Sequence, residues 1–502
     1  MTATHTPERQ MGPGARALLE GPVNYIDGRW VDGEGSTVLT SLNPATTEII
    51  REVPTTSLVQ TEQAILAARR AFDEGPWSNW SARDRSAVLL ELADVMERHA
   101  EDLLEIIVSE VGAPVRITRA MQVGMPIANV RWAAEMALKG PQGGYEQALA
   151  PDWNTPASSS LLQRVPVGVI AGITGYNFPI NSVIWKLAPG LAAGCTMVFK
   201  PSPRTPLSTM ALMKLVDQLG LPPGVVNFVA GDNDSGELLC DHDAVDMVMF
   251  TGSLAVGRRI MTTASRTTKR VILELGGKSA TILLPGADIP SLTEASIMRW
   301  ARNSGQGCGS TTRTLVPRAA YDEYTASAGA FVDNLRIGSP WSEETDLGPL
   351  IRAEQRDFVE GHLHRALDRG ATLIAGGGRP EGFDGYFMNA ALVGGIDNSD
   401  EIAQEELFGP VGVVLPFDTV EEAIAITHNS PYGLHGAVYG PPDQAYAVAR
   451  RLRTGAVSIN GGGYMRPDGP WGGFKLSGMG REMGEDGFRE FFQVKHLQWP
   501  IR

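Results

Sequence analysis

The chain has 502 residues, enough for two or three domains at the usual domain size. Hydrophobic residues make up 43% and charged residues 20%, an ordinary balance for a globular protein with no shortage of core. A formal charge of −14 speaks against nucleic acid or an anionic membrane as a general partner, since both call for basic surface.

Residues 1–21 are polar and rich in Gly and Pro, which predicts a loose lead-in. They contain no apolar signal core. No apolar run of about 18 residues occurs anywhere, so the chain is expected in the cytoplasm and not in a membrane. "NYIDGRWVDG" (24–33) reads as a short hairpin turning at Asp27-Gly28. A helix is expected from Thr61. Another starts at Ser81, with Asp84 three residues on as a weak capping box. The stripe Val88, Leu92, Val95, Met96, Leu103, Leu104 and Ile107 carries it to Gly112 and Pro114. Residues 140–160 lose all core periodicity and read as a connecting arm.

From Leu161 the pattern is strand, turn, helix, repeated. The strands are "RVPVGVIAGIT", "CTMVFK", "GVVNFVAG" and "VDMVMFTG", with helices around 183–193, 205–219 and 254–264. This alternation predicts a parallel sheet covered by helices. A second α/β region runs from about 278 to 470. "REFFQVKHLQW" (489–499) is the last strand.

Several motifs carry chemistry. "FTGSLAVGRRI" (250–260) follows a strand and opens a helix. Arg258-Arg259 stand where a Walker loop needs Lys and Ser/Thr, which excludes a nucleoside triphosphatase. Gly252 and the helix N-terminus can still hold a diphosphate through backbone N–H groups, the alternative being a plain tight turn. Glu274, between Leu273 and Leu275 in an apolar strand, is either a solvent-facing edge residue or a general base with a raised pKa. Asn177, in the turn before Pro179, is either local turn chemistry or an oxyanion donor.

Cys308 sits between Gly307 and Gly309 in "RNSGQGCGSTTR" (302–313). An inert buried thiol normally has bulky apolar neighbours, whereas glycines leave sulfur and backbone N–H reachable. The other cysteines, Cys195 and Cys240, are scattered. All three read as free thiols, with neither a disulfide framework nor a metal cluster. "GHLHRALDRG" places His362 and His364 on different helix faces, so a solvated surface is expected there instead of a metal site. The glycine-rich run 460–482 is long enough to suggest a functional loop.

Together these segments resemble the aldehyde dehydrogenase superfamily over nearly the whole chain. "TGYNFP" resembles its oxyanion motif and implies that role for Asn177, with Thr174 near the cofactor. "FKPSPRTP" resembles its adenosine-side motif and brings in Lys200, Ser202 and Pro203. Gly231, Gly252, Ser253 and Leu275 are implied on the same cofactor. "LELGGKS" implies a general base at Glu274, and "NSGQGC" a nucleophile at Cys308. "EELFGPV" implies Glu406 and Phe408 at the nicotinamide ribose. "PWGGFKLSGMGRE" places Glu482 with Lys186 in a proton relay.

The resemblance implies oxidation of an aldehyde to an acid with NAD or NADP, through a Cys308 thioester that water activated by Glu274 hydrolyses. The implied tunnel wall is Tyr176, Phe178, Ser182, Trp185, Gly307, Gly309, Tyr464, Met465 and Trp471, suited to an uncharged apolar aldehyde. Arg302 is the residue that would instead face a carboxylated substrate. Pro203 stands where many NAD-preferring members carry a glutamate, which leaves NADP possible, with Arg204 next to it as a phosphate partner.

The implied fold is α/β, with a Rossmann-like cofactor domain (22–139 and 164–276) and an α/β catalytic domain (277–488). A small β oligomerisation element (140–163 and 489–502) implies a homodimer or homotetramer. Competing readings are a coenzyme-A-acylating enzyme of the same fold, a cysteine acyl hydrolase without redox chemistry, and a non-catalytic binding protein.

Overall fold

The computed structural model describes residues 9–141, 144–154, 156–463 and 465–501. It is an α/β molecule built on two large sheets. The first has eight strands in the spatial order Arg29–Val31, Asn24–Ile26, Val226–Phe228, Thr196–Lys200, Val169–Ile173, Met247–Thr251, Arg270–Glu274, Gly478–Met479. Its five central strands are parallel. Sequence order reverses between Val169–Ile173 and Met247–Thr251, the point where an open α/β sheet leaves a crevice beyond its strand ends.

The second sheet has seven strands, parallel except for the edge pair Thr372–Gly376 and Ala391–Gly394. A three-stranded antiparallel sheet joins Phe492–Pro500, Ser158–Pro166 and Glu146–Ala148. Separate apolar cores form around the two large sheets. No described helix is long and apolar enough to cross a membrane.

The helices Pro179–Ala193, Pro206–Asp217 and Leu254–Ala264 fall where the pattern puts them. The hairpin turns at Asp27-Gly28, both residues with positive φ. Four expectations are corrected. The lead-in, of which residues 1–8 lie outside the described residues, is not loose over 9–21: the helix Pro13–Leu18 buries Ala15 and Leu18, and Glu105 binds both Arg9 and the Gly12 N–H. The helix expected from Thr61 begins at Leu58, since Ser57 and Gln60 form the capping box. The long helix from Ser81 is two, Ala82–Arg98 and Ala100–Val111, broken at His99. The strand read across 164–174 is interrupted, because Gly168 takes φ 126° and a side chain there would strike the Asp246 carboxylate.

Candidate functional site

The turn before Cys308 is held in a costly conformation. Asn303, Ser304 and Gly305 all have positive φ, the first two at 54° and the glycine at 73°. A Cβ on Gly305 would collide with the Gly409 carbonyl. Downstream contacts hold the turn in place: the Ser304 hydroxyl donates to the Gly348 carbonyl (2.7 Å), and Gln306 accepts from the Ile351 N–H (3.0 Å). Over-determination of this kind is how strained backbone persists at functional sites.

The turn leaves Cys308 partly exposed. Burial pushes its thiol pKa up, the charges of Glu274 and Glu406 add to the rise, and backbone N–H groups of Gly309 and Cys308 oppose it. Asn177 stands beside the cysteine turn, its Nδ2 donating to the Gln306 carbonyl at 3.0 Å. An amide nitrogen carries two hydrogens, so this bond orients the group and leaves a second N–H to donate.

Glu274 ends its strand, pinned between Thr251 and Gly478. It is buried, 3% exposed, which disposes of the solvent-facing alternative. Neither carboxylate oxygen has a hydrogen-bond partner among the described residues. Burial holds its pKa well above the usual carboxylate range, the Glu482 charge raises it further, and Lys186 and Arg481 pull the other way. Lys186 and Glu482 form a fully buried ion pair at 2.7 Å. The Lys186 ammonium also donates to Thr251 Oγ1 (2.8 Å) and the Ser182 carbonyl (3.0 Å).

Several of the residues read as cofactor-binding lie at the C-terminal ends of the parallel strands of the first sheet. Lys200 ends one parallel strand, and Thr174, Gly231 and Gly252 each come shortly after the end of another. Their chemistry fits a dinucleotide. Thr174 Oγ1 is buried without a partner among the described residues. Lys200 Nζ donates to the carbonyl of the adjacent Pro201, and burial lowers its pKa to about 8. Side chains on Gly231 and Gly252 would strike Ser235 and the Phe250 ring, so both must stay bare. Ser253 caps the helix Leu254–Ala264, and Leu275 packs beneath Gly257 of that helix.

Ser202 accepts from the Arg204 N–H. Pro203 is half-buried, and the Arg204 side chain is exposed. Burial lowers the Arg204 pKa, and the nearby Arg352 charge lowers it further. Glu406 accepts from the Gly277 N–H at 2.9 Å, and burial raises its pKa to about 7. Phe408 meets the Tyr176 ring edge-on at 5.8 Å.

Cys308 and Met465 pack on an apolar cluster of Trp185, Leu434, Trp471 and Met483, joined by Met125. Phe178 and Gly307 are half-exposed, and Phe178 caps the helix Pro179–Ala193. Ser182 is buried; its hydroxyl accepts from the Gly175 N–H and its carbonyl holds Lys186. Gly309 is buried. Tyr464 lies outside the described residues. His362 is corrected from a solvated surface: it is buried, with Nδ1 2.9 Å from the Phe358 carbonyl and Nε2 3.2 Å from Glu401.

Sequence reasoning missed His435. Its Nδ1 lies 3.0 Å from the Gly309 carbonyl and its Nε2 3.1 Å from Ser458 Oγ. Burial lowers its pKa to about 3, so it is neutral with both ring nitrogens engaged. It is therefore a brace for the cysteine turn and not a base for the thiol, which argues against a Cys–His hydrolase. Thr251 and Gln306 were missed as well, although both lie inside quoted motifs.

A family model described as the aldehyde dehydrogenase family matches residues 30–497. A 3-succinoylsemialdehyde-pyridine dehydrogenase from a Pseudomonas species is 38% identical over 94% of this chain and 97% of its own. Betaine aldehyde dehydrogenase from Staphylococcus aureus, solved with NAD+, superposes with a TM-score of 0.92 at 34% identity, covering 97% of this chain and 96% of its own. Aldehyde dehydrogenase C from Pseudomonas syringae, a cysteine-to-alanine mutant solved with NAD+ and octanal, gives a TM-score of 0.90 at 35% identity, covering 98% of each chain.

Proposed function

The chain belongs to the aldehyde dehydrogenase family, and from that premise we propose how its residues oxidise an aldehyde to a carboxylic acid with NAD. Cys308 attacks the aldehyde carbon. The Asn177 amide and the Cys308 backbone N–H stabilise the oxyanion that forms. Bound NAD supplies the hydride acceptor that turns this adduct into a thioester. Glu274 then removes a proton from water, which attacks the thioester and releases the acid. The Lys186–Glu482 pair carries that proton away from Glu274.

The observation behind this assignment is Glu274, a buried carboxylate with a raised pKa and no hydrogen-bond partner among the described residues. Such a group is costly unless it has work to do. It also favours water over coenzyme A as the acyl acceptor. Thr174, Lys200, Ser202, Pro203, Gly231, Gly252, Ser253, Leu275, Glu406 and Phe408 would hold the dinucleotide. NAD is the working cofactor, and NADP remains accessible because Pro203 offers no carboxylate to repel a 2′-phosphate.

The apolar walls around Cys308 support an uncharged substrate. We assign residues 22–139 and 164–276 to cofactor binding, 277–488 to catalysis, and 140–163 with 489–502 to assembly. The assembly is a homodimer or homotetramer in the cytoplasm. The test is NADH formation with benzaldehyde, octanal and succinic semialdehyde. Cys308→Ala should abolish turnover with each while still binding NAD. Wild-type rates in that variant would end the reading, and a clear win for the semialdehyde would overturn the apolar pocket.

A further inference from the structure

The apolar surroundings of Cys308 are broken by polar atoms that neither the chemistry nor the packing uses. Asn181 and Trp185 stand four residues apart on the helix Pro179–Ala193, so they share a face one turn apart. Trp185 belongs to the cluster that Cys308 packs against. Asn181 borders the same cluster: its Nδ2 donates to the Met121 carbonyl (2.9 Å) and lies 3.7 Å from the sulfur of Met125, another member. Asn181 is 1% exposed and Trp185 7%. Yet Asn181 Oδ1 and Trp185 Nε1 have no hydrogen-bond partner among the described residues. Next to Met121 lies Gln122, fully buried, with neither amide atom bonded among the described residues. It sits on the π-helical turn Thr118–Gly124, a distortion that concentrates at functional sites.

Buried polar atoms without partners are rare in folded proteins and call for a ligand or a role. Here an acceptor, Asn181 Oδ1, and a donor, the Trp185 indole N–H, are one helical turn apart. That pair is the complement of a hydroxyl group, which donates one hydrogen bond and accepts another. The patch is uncharged. A carboxylate would gain no cation and would meet the Asn181 oxygen, while a plain hydrocarbon would leave both atoms bare. Asn177, the oxyanion donor, lies four residues before Asn181, in the turn that precedes this helix.

We infer that the substrate is an uncharged, hydroxyl-bearing aldehyde. An aromatic ring fits the tryptophan walls and carries the hydroxyl away from the carbonyl. This rests on the aldehyde dehydrogenase reading above and adds the substrate class to it.

The experiment is the ratio of kcat/KM for para-hydroxybenzaldehyde over benzaldehyde, measured with NAD below the pKa of the phenol. Wild type should favour the hydroxylated aldehyde at least about tenfold, because the site's own polar atoms go unpaired with the other. Asn181→Leu should bring the ratio close to one. Trp185→Phe, which keeps the ring and removes the donor, should lower it in part and covers the case in which the leucine variant fails to fold. A wild-type ratio near one overturns the inference, as does a ratio that survives both substitutions. Failure of the wild type to oxidise any aldehyde would instead sink the family reaction on which the inference stands.

Discussion

At the scale of single residues, the site rests on groups kept unsatisfied until substrate arrives. Glu274→Gln should release a burst of NADH and then stall, because acylation does not need the base and deacylation does. Single-turnover kinetics will show this, and a variant with no burst but normal hydrolysis of a supplied ester would move Glu274 to another role. The same carboxylate sets a pH dependence. Its pKa is raised, so the water-activating anion is lost as pH falls through a range above that of ordinary carboxylates. Deacylation should therefore rise with pH there. His435→Ala frees the Gly309 carbonyl and loosens the cysteine turn. We expect kcat/KM to drop about tenfold, worth about 1.4 kcal/mol, with NAD affinity unchanged. His435→Gln, whose amide can donate to the same carbonyl, should recover part of the loss.

At the scale of elements, Glu110 is the clearest case of one segment fixing another. It projects from the helix Ala100–Val111 and accepts from the Leu207 and Ser208 N–H groups at 2.7 Å each, which lie in the first turn of the helix Pro206–Asp217. The hydroxyls of Ser208 and Ser41 complete the set. That helix follows the strand Thr196–Lys200 after a short loop, so Glu110 fixes the segment that comes after Lys200. Glu110→Ala should cost roughly 3 kcal/mol by orphaning two backbone donors, read as a lower denaturation midpoint. Burial raises the Glu110 pKa to about 7, above its unfolded value. The folded state thus holds this proton more tightly, and the group's contribution is full below the ordinary carboxylate range and lost as pH rises through about 7. Glu110→Gln should flatten stability across that window.

Legibility followed locality. Helices with an apolar stripe and strands between turn residues could be read, and so could motifs in which the chemistry sits in adjacent residues, such as Asn177, Glu274 and Cys308. The helix Met125–Lys139 gives no clear apolar stripe because its buried face mixes Ala133, Ala134 and Ala137 with Pro126 and Asn129, a weak signal beside Leu or Val. The helix Pro13–Leu18 was missed because Glu105 and Asp102, far along the chain, give it its place. His435 could not be recognised because its partners, Gly309 and Ser458, are distant in sequence.

At the scale of the whole molecule, the small third sheet is unlike the rest. Val494, Leu497 and Trp499 stand exposed on the strand Phe492–Pro500, with Leu149 and Trp153 exposed on the arm it joins. One edge of that strand pairs with Ser158–Pro166. An apolar strand left this bare invites another copy of the chain. Leu497→Asp combined with Trp499→Asp, two substitutions on one face, should lower the mass found by light scattering to that of a smaller species. An unchanged mass would remove this sheet from the assembly.

The left-handed run Asn303–Ser304–Gly305 has a bearing on time as well as on geometry. Two non-glycine residues there resist their own conformation at a cost of order 1–3 kcal/mol each, and what restrains them comes later in the chain: Gly348, Ile351 and Gly409. The brace at His435 and the ion-pair partner Glu482 come later still. During synthesis Cys308 is therefore an ordinary thiol in a relaxed loop for well over a hundred residues after it is made. It acquires the neighbours of a nucleophile only when almost the entire chain has been laid down and docked. A truncated or half-folded copy carries the cysteine without its surroundings, so reactivity toward aldehydes doubles as a certificate of completed folding.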